Sequence, residues 1–157
     1  MSEIHAVIAL ETLSQLEQAI ERRERLVALY GRRLGELPGI RFQEFLPEVR
    51  STHNYFVIFV DEPRFGLSAR ELQQALEANG IVTRRYFYPP VHRQTVYRAY
   101  APADDSHLRT TVEVAEQVLC LPLYTHLEAD DLEAVCREVR RVHYHAQAVR
   151  RALDGGS

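Results

Sequence analysis

The stretch TRRYFYPPVHRQTVYRAY, residues 83–100, gathers more side chains able to do chemistry than any other part of the chain. Arg84, Arg85, Arg93 and Arg98 stand beside Tyr86, Tyr88, Tyr97, Tyr100 and His92, around a Pro89-Pro90 step that stiffens the backbone. Guanidinium presents a planar donor fork to carboxylate or phosphate, tyrosine offers a flat ring with one hydroxyl, and a stiff loop holds both in place. These residues suit a weak site for a small anion, with Arg84 and His92 on one face near Tyr88. The spacing also admits a plainer arrangement, in which alternate residues of an extended segment point to opposite faces and half of the set is solvated or packed.

Other candidates carry less. His143 and His145 flank Tyr144 at i, i+2, which on a helix separates them by roughly 200° and argues against a shared metal. His5 sits in an apolar run, where packing explains it better than a contact beyond the chain's own surface does. Glu128, Asp130 and Asp131 open a helical pattern, where negative charge complements the macrodipole and needs no catalytic explanation. No G-x-S-x-G, P-loop, G-x-G-x-x-G or H-E-x-x-H pattern occurs. All 19 basic residues are arginine, so no side chain can form a Schiff base.

Elements must position these groups. Ile4, Val7, Ile8, Leu13, Leu16, Ile20, Val27, Tyr30, Leu34 and Leu37 recur at threes and fours, which predicts one long helix over 1–36, stopped by Pro38 and Gly39. Such a helix would be roughly 50 Å long, so one end is expected to project beyond the core. IRFQEF alternates as a short strand, and NYFVIFV reads as a buried one. Ser68 lies three residues before Glu71, the capping-box spacing, and starts a helix that closes on Asn79 and Gly80. IVTRRYFY is expected to be a third strand, ended by Pro89 and Pro90. Residues 91–107 read as a long loop with one helical turn at TVYRAY. LRTTVEVAEQVL is a helix, CLPLY a short extended stretch, 128–153 a closing amphipathic helix, and DGGS a frayed tail. The boundaries expected are a connecting helix over 1–36, a small domain over 37–146, and a helix end with a disordered tail over 147–157.

Composition bounds the classes. A chain of 157 residues with 46% hydrophobic content is expected to form one domain with a real core. A formal net charge of −3 gives no global reason to expect nucleic acid or an anionic membrane as partner. No stretch is long and apolar enough to be a membrane span, and the apolar start lacks the basic flank of a signal peptide. Cys120 and Cys136 lack the spacing of redox or zinc pairs and read as core thiols in a reducing cytoplasm.

Several segments, in order, resemble one family. MSEIHAVIAL is similar to the R-M-S-E-I/F-H/Q-A-A-x-G-L segment of the DegT/DnrJ/StrS sugar aminotransferases, THNYFVIFV to their H-x-x-H/Y-x-F-V/P-I/V strand, and LQQALEANGIVTRRYFYPPVHRQTVY to their L-x-x-x-G-I-x-T-R-x-x-Y-x-P-x-H-x-Q-x-x-Y run. AEQVLCLPLYTHLEADDLEAV resembles their A-E-x-x-x-x-L-P-x-x-x-x-L-T-x-x-x-x-x-V ending. The resemblance spans residues 1–142, though the arginine that usually precedes Met-Ser-Glu is absent.

The resemblance implies an α/β small domain of the aspartate aminotransferase fold: a mixed, mainly antiparallel sheet of three or so strands, helices on one face, and a long N-terminal helix. It implies pyridoxal phosphate (PLP) as the family cofactor and amino transfer from glutamate to a keto sugar on a nucleotide carrier. It also implies that the PLP-binding large domain, with its aldimine lysine, lies upstream of the helix seen here or acts in trans, so no bound cofactor, catalytic residue or metal is expected in this chain alone. Arg84, Tyr88 and His92 match the T-R and Y-x-P-x-H positions and inherit a substrate-facing role when that domain is present. A homo-oligomer in the cytoplasm, inactive alone, is the expectation; the alternative is a stand-alone binding or regulatory module built on the same domain.

The missing lysine sets a first expectation. Treated with PLP and borohydride, the chain acquires no adduct on any side chain, since only the α-amine remains to form one. Peptide mapping that found a side-chain adduct would contradict this.

Overall fold

The computed structural model describes residues 2–97, 99–100 and 105–155. Helix α1 runs Glu3–Ser14 and α2 runs Leu16–Leu34. The single helix expected over 1–36 is therefore interrupted at Gln15. Thr12 and Ser14 turn their hydroxyls back to donate to the carbonyls of Ile8 (2.8 Å) and Glu11 (2.7 Å), bonds that compete with the helical ladder and bend it. The Gln15 N–H accordingly reaches Thr12 O, three residues back, at 3.3 Å.

The two helices live in different surroundings. On α2, Ile20, Leu26, Tyr30 and Leu34 form one buried stripe. On α1 no residue is buried, and Ile4, Val7, Ile8, Leu10 and Leu13 are each between 59% and 73% exposed. As its length suggested, one end of the first helical segment stands clear of the core.

The sheet contains β1 (Ile40–Phe42), β2 (Phe56–Val60) and β3 (Val118–Leu121) in spatial order β1-β2-β3, antiparallel throughout. Ile40 pairs with Val60, and Phe56 with Leu121. The turn into β1 depends on Gly39, whose φ of 79° suits glycine and where a Cβ would meet the Phe65 backbone nitrogen at 2.4 Å. Its carbonyl accepts the Asp61 N–H at 2.8 Å, tying the start of β1 to the end of β2.

The strand expected at IVTRRYFY does not form. Its one ladder contact is a bridge between Arg84 and Cys120, and β3 fills the place beside β2. On one side of that bridge Val82 faces Pro122, which has no N–H, and on the other the chain turns at Tyr86 and Phe87, whereas every residue of VLCL is buried and can pair. Accordingly α5 (Arg109–Gln117) stops two residues short of the helix expected there, because Val118 is already extended. At TVYRAY the described residues form turns, the Tyr97 N–H donating to Gln94 O at 3.0 Å and the Tyr100 N–H to Tyr97 O at 2.9 Å, and a 3₁₀ turn at Val91–Arg93 precedes them; Arg98 lies outside the described residues, as do Met1 and the last two residues of the expected tail.

Helix α3 (Glu62–Phe65) and α4 (Ala69–Ala78) follow β2; α6 (Ala129–Tyr144) and α7 (Ala146–Asp154) close the chain. Phe56, Ile58 and Val60 point from β2 into a core with Tyr30 and Leu34 of α2, Leu72 and Leu76 of α4, and Leu132, Val139 and Val142 of α6. The closing helix breaks at His145. Just before the break, His143 Nδ1 lies 2.8 Å from the Phe65 carbonyl, and just after it Ala146 approaches Gly66 so closely that a Cβ there would lie 2.8 Å from its own. Among the described residues no helix is long and apolar enough to cross a membrane.

The start of α4 is an electrostatic joint. Ser68 and Glu71 form a reciprocal capping box, and Arg150 of α7 donates to Glu71 Oε1 at 2.7 Å and to Glu62 at 2.8 Å. Arg150 and the Ser68 bonds hold the Glu71 carboxyl down at about 2, against an ordinary 4.5. A folded-state value below the unfolded one gives stability that is complete above about 4.5 and lost as pH falls toward 2. Glu71→Gln should therefore flatten the decline in urea-unfolding stability across that window, while wild type declines; parallel declines would contradict the assignment.

Candidate functional site

Residues 81–93 leave α4 at Gly80, whose φ of 76° turns the chain back toward β3. Arg84 exchanges backbone hydrogen bonds with Cys120, at 3.2 and 2.7 Å, which anchors the segment at one point. Beyond it the backbone turns, the Tyr88 N–H donating to the Arg85 carbonyl at 3.0 Å.

The two arginines of the doublet then diverge. Arg84 is exposed and its guanidinium donates to the neighbouring Thr83 carbonyl at 3.2 Å. Arg85 turns inward: Nη2 donates to the carbonyls of Ala115 and Glu116, both at 2.9 Å, in the last turn of α5. Those carbonyls have no intrahelical partners and sit at the negative end of the helix dipole, so a guanidinium is a fitting cap. Its carbon lies 3.8 Å from the centroid of the Tyr88 ring, a cation–π distance. Burial pulls the Arg85 pKa below its ordinary value, and Tyr88 and Glu116 oppose that fall.

His92 sits in the 3₁₀ turn Val91–Arg93 that follows Pro90. Its Nε2 lies 3.4 Å from Asp105 Oδ2, close enough for an ion pair when the ring is protonated, yet without a hydrogen bond. Arg93 donates to the same oxygen at 2.8 Å. Arg93, with His92 adding to it, holds the Asp105 carboxyl below the usual carboxylate range.

Thus Tyr88 meets Arg85, His92 meets the Arg93–Asp105 pair, and Arg84 faces solvent. Among the described residues no hydrogen bond or ion pair joins Arg84, Tyr88 and His92 to one another. Arg85 and Tyr88 instead share the wall of a cleft of about 550 Å³ with Ser68 and Arg70. Arg85 is the organising residue that spacing did not single out; the available signal was the Arg84-Arg85 doublet, since neighbours in an extended segment must face opposite ways. Both thiols are buried, with burial raising Cys120 against a backbone hydrogen bond from Tyr86 and pushing Cys136 up to about 12.

Known proteins share both the sequence pattern and the fold. Residues 1–140 match the sequence pattern of the DegT/DnrJ/EryC1/StrS aminotransferase family. The chain belongs to that family. It is 35% identical over 130 residues to an Escherichia coli dTDP-4-amino-4,6-dideoxy-D-glucose transaminase, covering 83% of this chain and 35% of that protein. It is 30% identical over 146 residues to a Saccharopolyspora spinosa dTDP-4-dehydro-2,3,6-trideoxy-D-glucose 4-aminotransferase, covering 92% of this chain and 35% of that protein. The fold superposes on DesI, crystallised in the presence of its TDP-sugar product, with a TM-score of 0.87 and 28% identity over 98% of this chain and 38% of that one. It also matches S. venezuelae DesV, crystallised in complex with a ketimine intermediate, with a TM-score of 0.79 and 30% identity over 91% of this chain and 37% of that one. This member of the aminotransferase family therefore spans about a third of the length of the relatives it matches, and its mixed α/β architecture corresponds to one part of their fold.

Proposed function

We propose that this chain serves as the C-terminal portion of a PLP-dependent nucleotide-sugar aminotransferase, transferring an amino group from glutamate to a keto sugar on a nucleotide carrier. The observation that carries the reading is α1, an apolar helix with none of its residues buried. Burying a Val, Leu or Ile side chain contributes about 1.5–3 kcal/mol. Five of them left in water forfeit an amount comparable to the whole margin of a small domain. A PLP-binding large domain is the cover that family membership suggests, and α1 belongs to the stretch that matches the family.

The 157 residues do not themselves fit PLP as an aldimine, because they include no lysine. In this reading the large domain supplies the cofactor and its lysine, the chain is inactive alone, and Arg84, Tyr88 and His92 face the substrate across the joint. Arg84 and the half-exposed ring of Tyr88 are accessible for that role; His92 would take it while paired with Asp105. Such an enzyme works in the cytoplasm, and without its large domain the chain self-associates through α1. One observation favours the alternative of a stand-alone module: the core closes from Leu26 to Ala146 with no contribution from α1.

The test is reconstitution. The PLP-binding portion of the E. coli relative, cut before the matched region, is co-expressed with this chain and assayed in the reverse direction, for transfer of the amino group of dTDP-4-amino-4,6-dideoxy-D-glucose to 2-oxoglutarate with release of the keto sugar and glutamate. The two should co-purify with activity at least tenfold above either alone, and Ile4→Asp/Ile8→Asp should abolish both. A wild-type chain that stays monomeric on light scattering at high concentration and ignores the large domain would overturn the reading in favour of the module.

A further inference from the structure

Resting on the reading of Tyr88 as a substrate contact, we propose that Arg85 is the positioning residue that sets the Tyr88 ring. Within the 85–90 turn the Tyr88 N–H donates to Arg85 O at 3.0 Å, Pro89 O accepts from the Gln94 side chain at 3.3 Å and Pro90 O from the Arg93 N–H at 2.8 Å, and Tyr86 packs on Tyr55 with ring centroids 4.8 Å apart. None of these contacts touches the Tyr88 ring. The Arg85 guanidinium does, covering one ring face at 3.8 Å while the tyrosine remains 49% exposed.

The guanidinium is itself immobilised. Nη2 spans two adjacent carbonyls at 2.9 Å each, and Nε is enclosed with no hydrogen-bond partner among the described residues. Both carbonyls belong to the end of α5, which runs directly into β3, the strand to which Arg84 is bridged. Arg85 thus transmits the position of the α5–β3 junction to the Tyr88 ring and leaves its outer face toward the cleft. Lysine cannot replace it: an ammonium can donate to both carbonyls as Nη2 does, but it has no planar surface to lie on the ring.

The chain contains no tryptophan, so Tyr88→Trp creates a single fluorescent reporter at the ring's own position. Acrylamide should quench it at least twofold less efficiently when Arg85 is present than in the Arg85→Ala or Arg85→Lys background, with circular dichroism and thermal midpoint unchanged by Arg85→Lys. Equal quenching in all three backgrounds would overturn the proposal. The unmutated chain supplies a check that does not depend on a variant folding. Its Arg85 Nε–H resonance should lie upfield of the other arginines through the ring current and return on Tyr88→Leu; an unshifted signal would overturn the proposal equally. Titration of the Tyr88→Trp reporter with dTDP in the presence of the PLP-binding portion of the E. coli relative, with the same mixture containing the unmutated chain as the blank, separates the two layers. A fluorescence response that is lost with Arg85→Lys supports both, and an equal response with and without Arg85 overturns the positioning role. Unequal quenching with no response to dTDP supports the positioning role and removes the substrate reading of Tyr88.

Discussion

The seat of Tyr30 on the sheet is the contact on which the rest of the structure depends. Its ring stacks on Phe56 of β2 with centroids 4.4 Å apart and planes 9° from parallel, and its hydroxyl donates to the Pro122 carbonyl just past β3 at 2.8 Å. Burial pushes the phenol far above its ordinary pKa, so it remains a donor at any working pH. One side chain thereby fixes α2 to the central strand and to the exit of an edge strand. The direction of α2 sets the direction of α1. With α2 seated, the apolar α1 is carried away from the only core the described residues build.

The same sheet organises the candidate site at its β3 edge. β3 is the strand beside which Arg84 can pair, and α5 ends where β3 begins, so the unpaired carbonyls of that helix end lie next to the turn at 85–88. An arginine is the side chain that can satisfy two of those carbonyls and still lie flat on a tyrosine. The all-arginine composition serves geometry here, as it does where Arg150 joins two carboxylates across α4 and α7. By contrast, exposed pairs such as Arg109–Glu113 contribute little, since solvent screens them and ordering two long side chains opposes them.

Local features were legible in the sequence where a single residue type dictates local geometry. Ser68 and Glu71 declared the start of α4, and the aromatic and β-branched run at residues 56–60 declared the central strand. Competition between segments was not legible. VLCL pairs with β2 along its length, whereas IVTRRYFY reaches the outer side of β3 at Arg84 alone, because Pro122 opposite Val82 offers no donor and the chain turns at Tyr86. The break at Gln15 depends on two hydroxyls choosing backbone carbonyls over water, which periodicity cannot register. At the site, residue types marked the right stretch, but which arginine of a doublet turns inward depends on a helix end some thirty residues later. The resemblance reached further, because it reads the whole order of segments at once.

The central claim is that α1 exists to be covered by a PLP-binding domain. Hydrogen exchange of the α1 amides, followed by mass spectrometry with and without the PLP-binding portion of the E. coli relative, tests it most directly. The account predicts that residues 3–14 exchange rapidly in the dilute chain and slow at least tenfold when that portion is added, while the amides of β2 do not change. Slow exchange of α1 in a dilute monomer, or rapid exchange that the added domain leaves untouched, would contradict it.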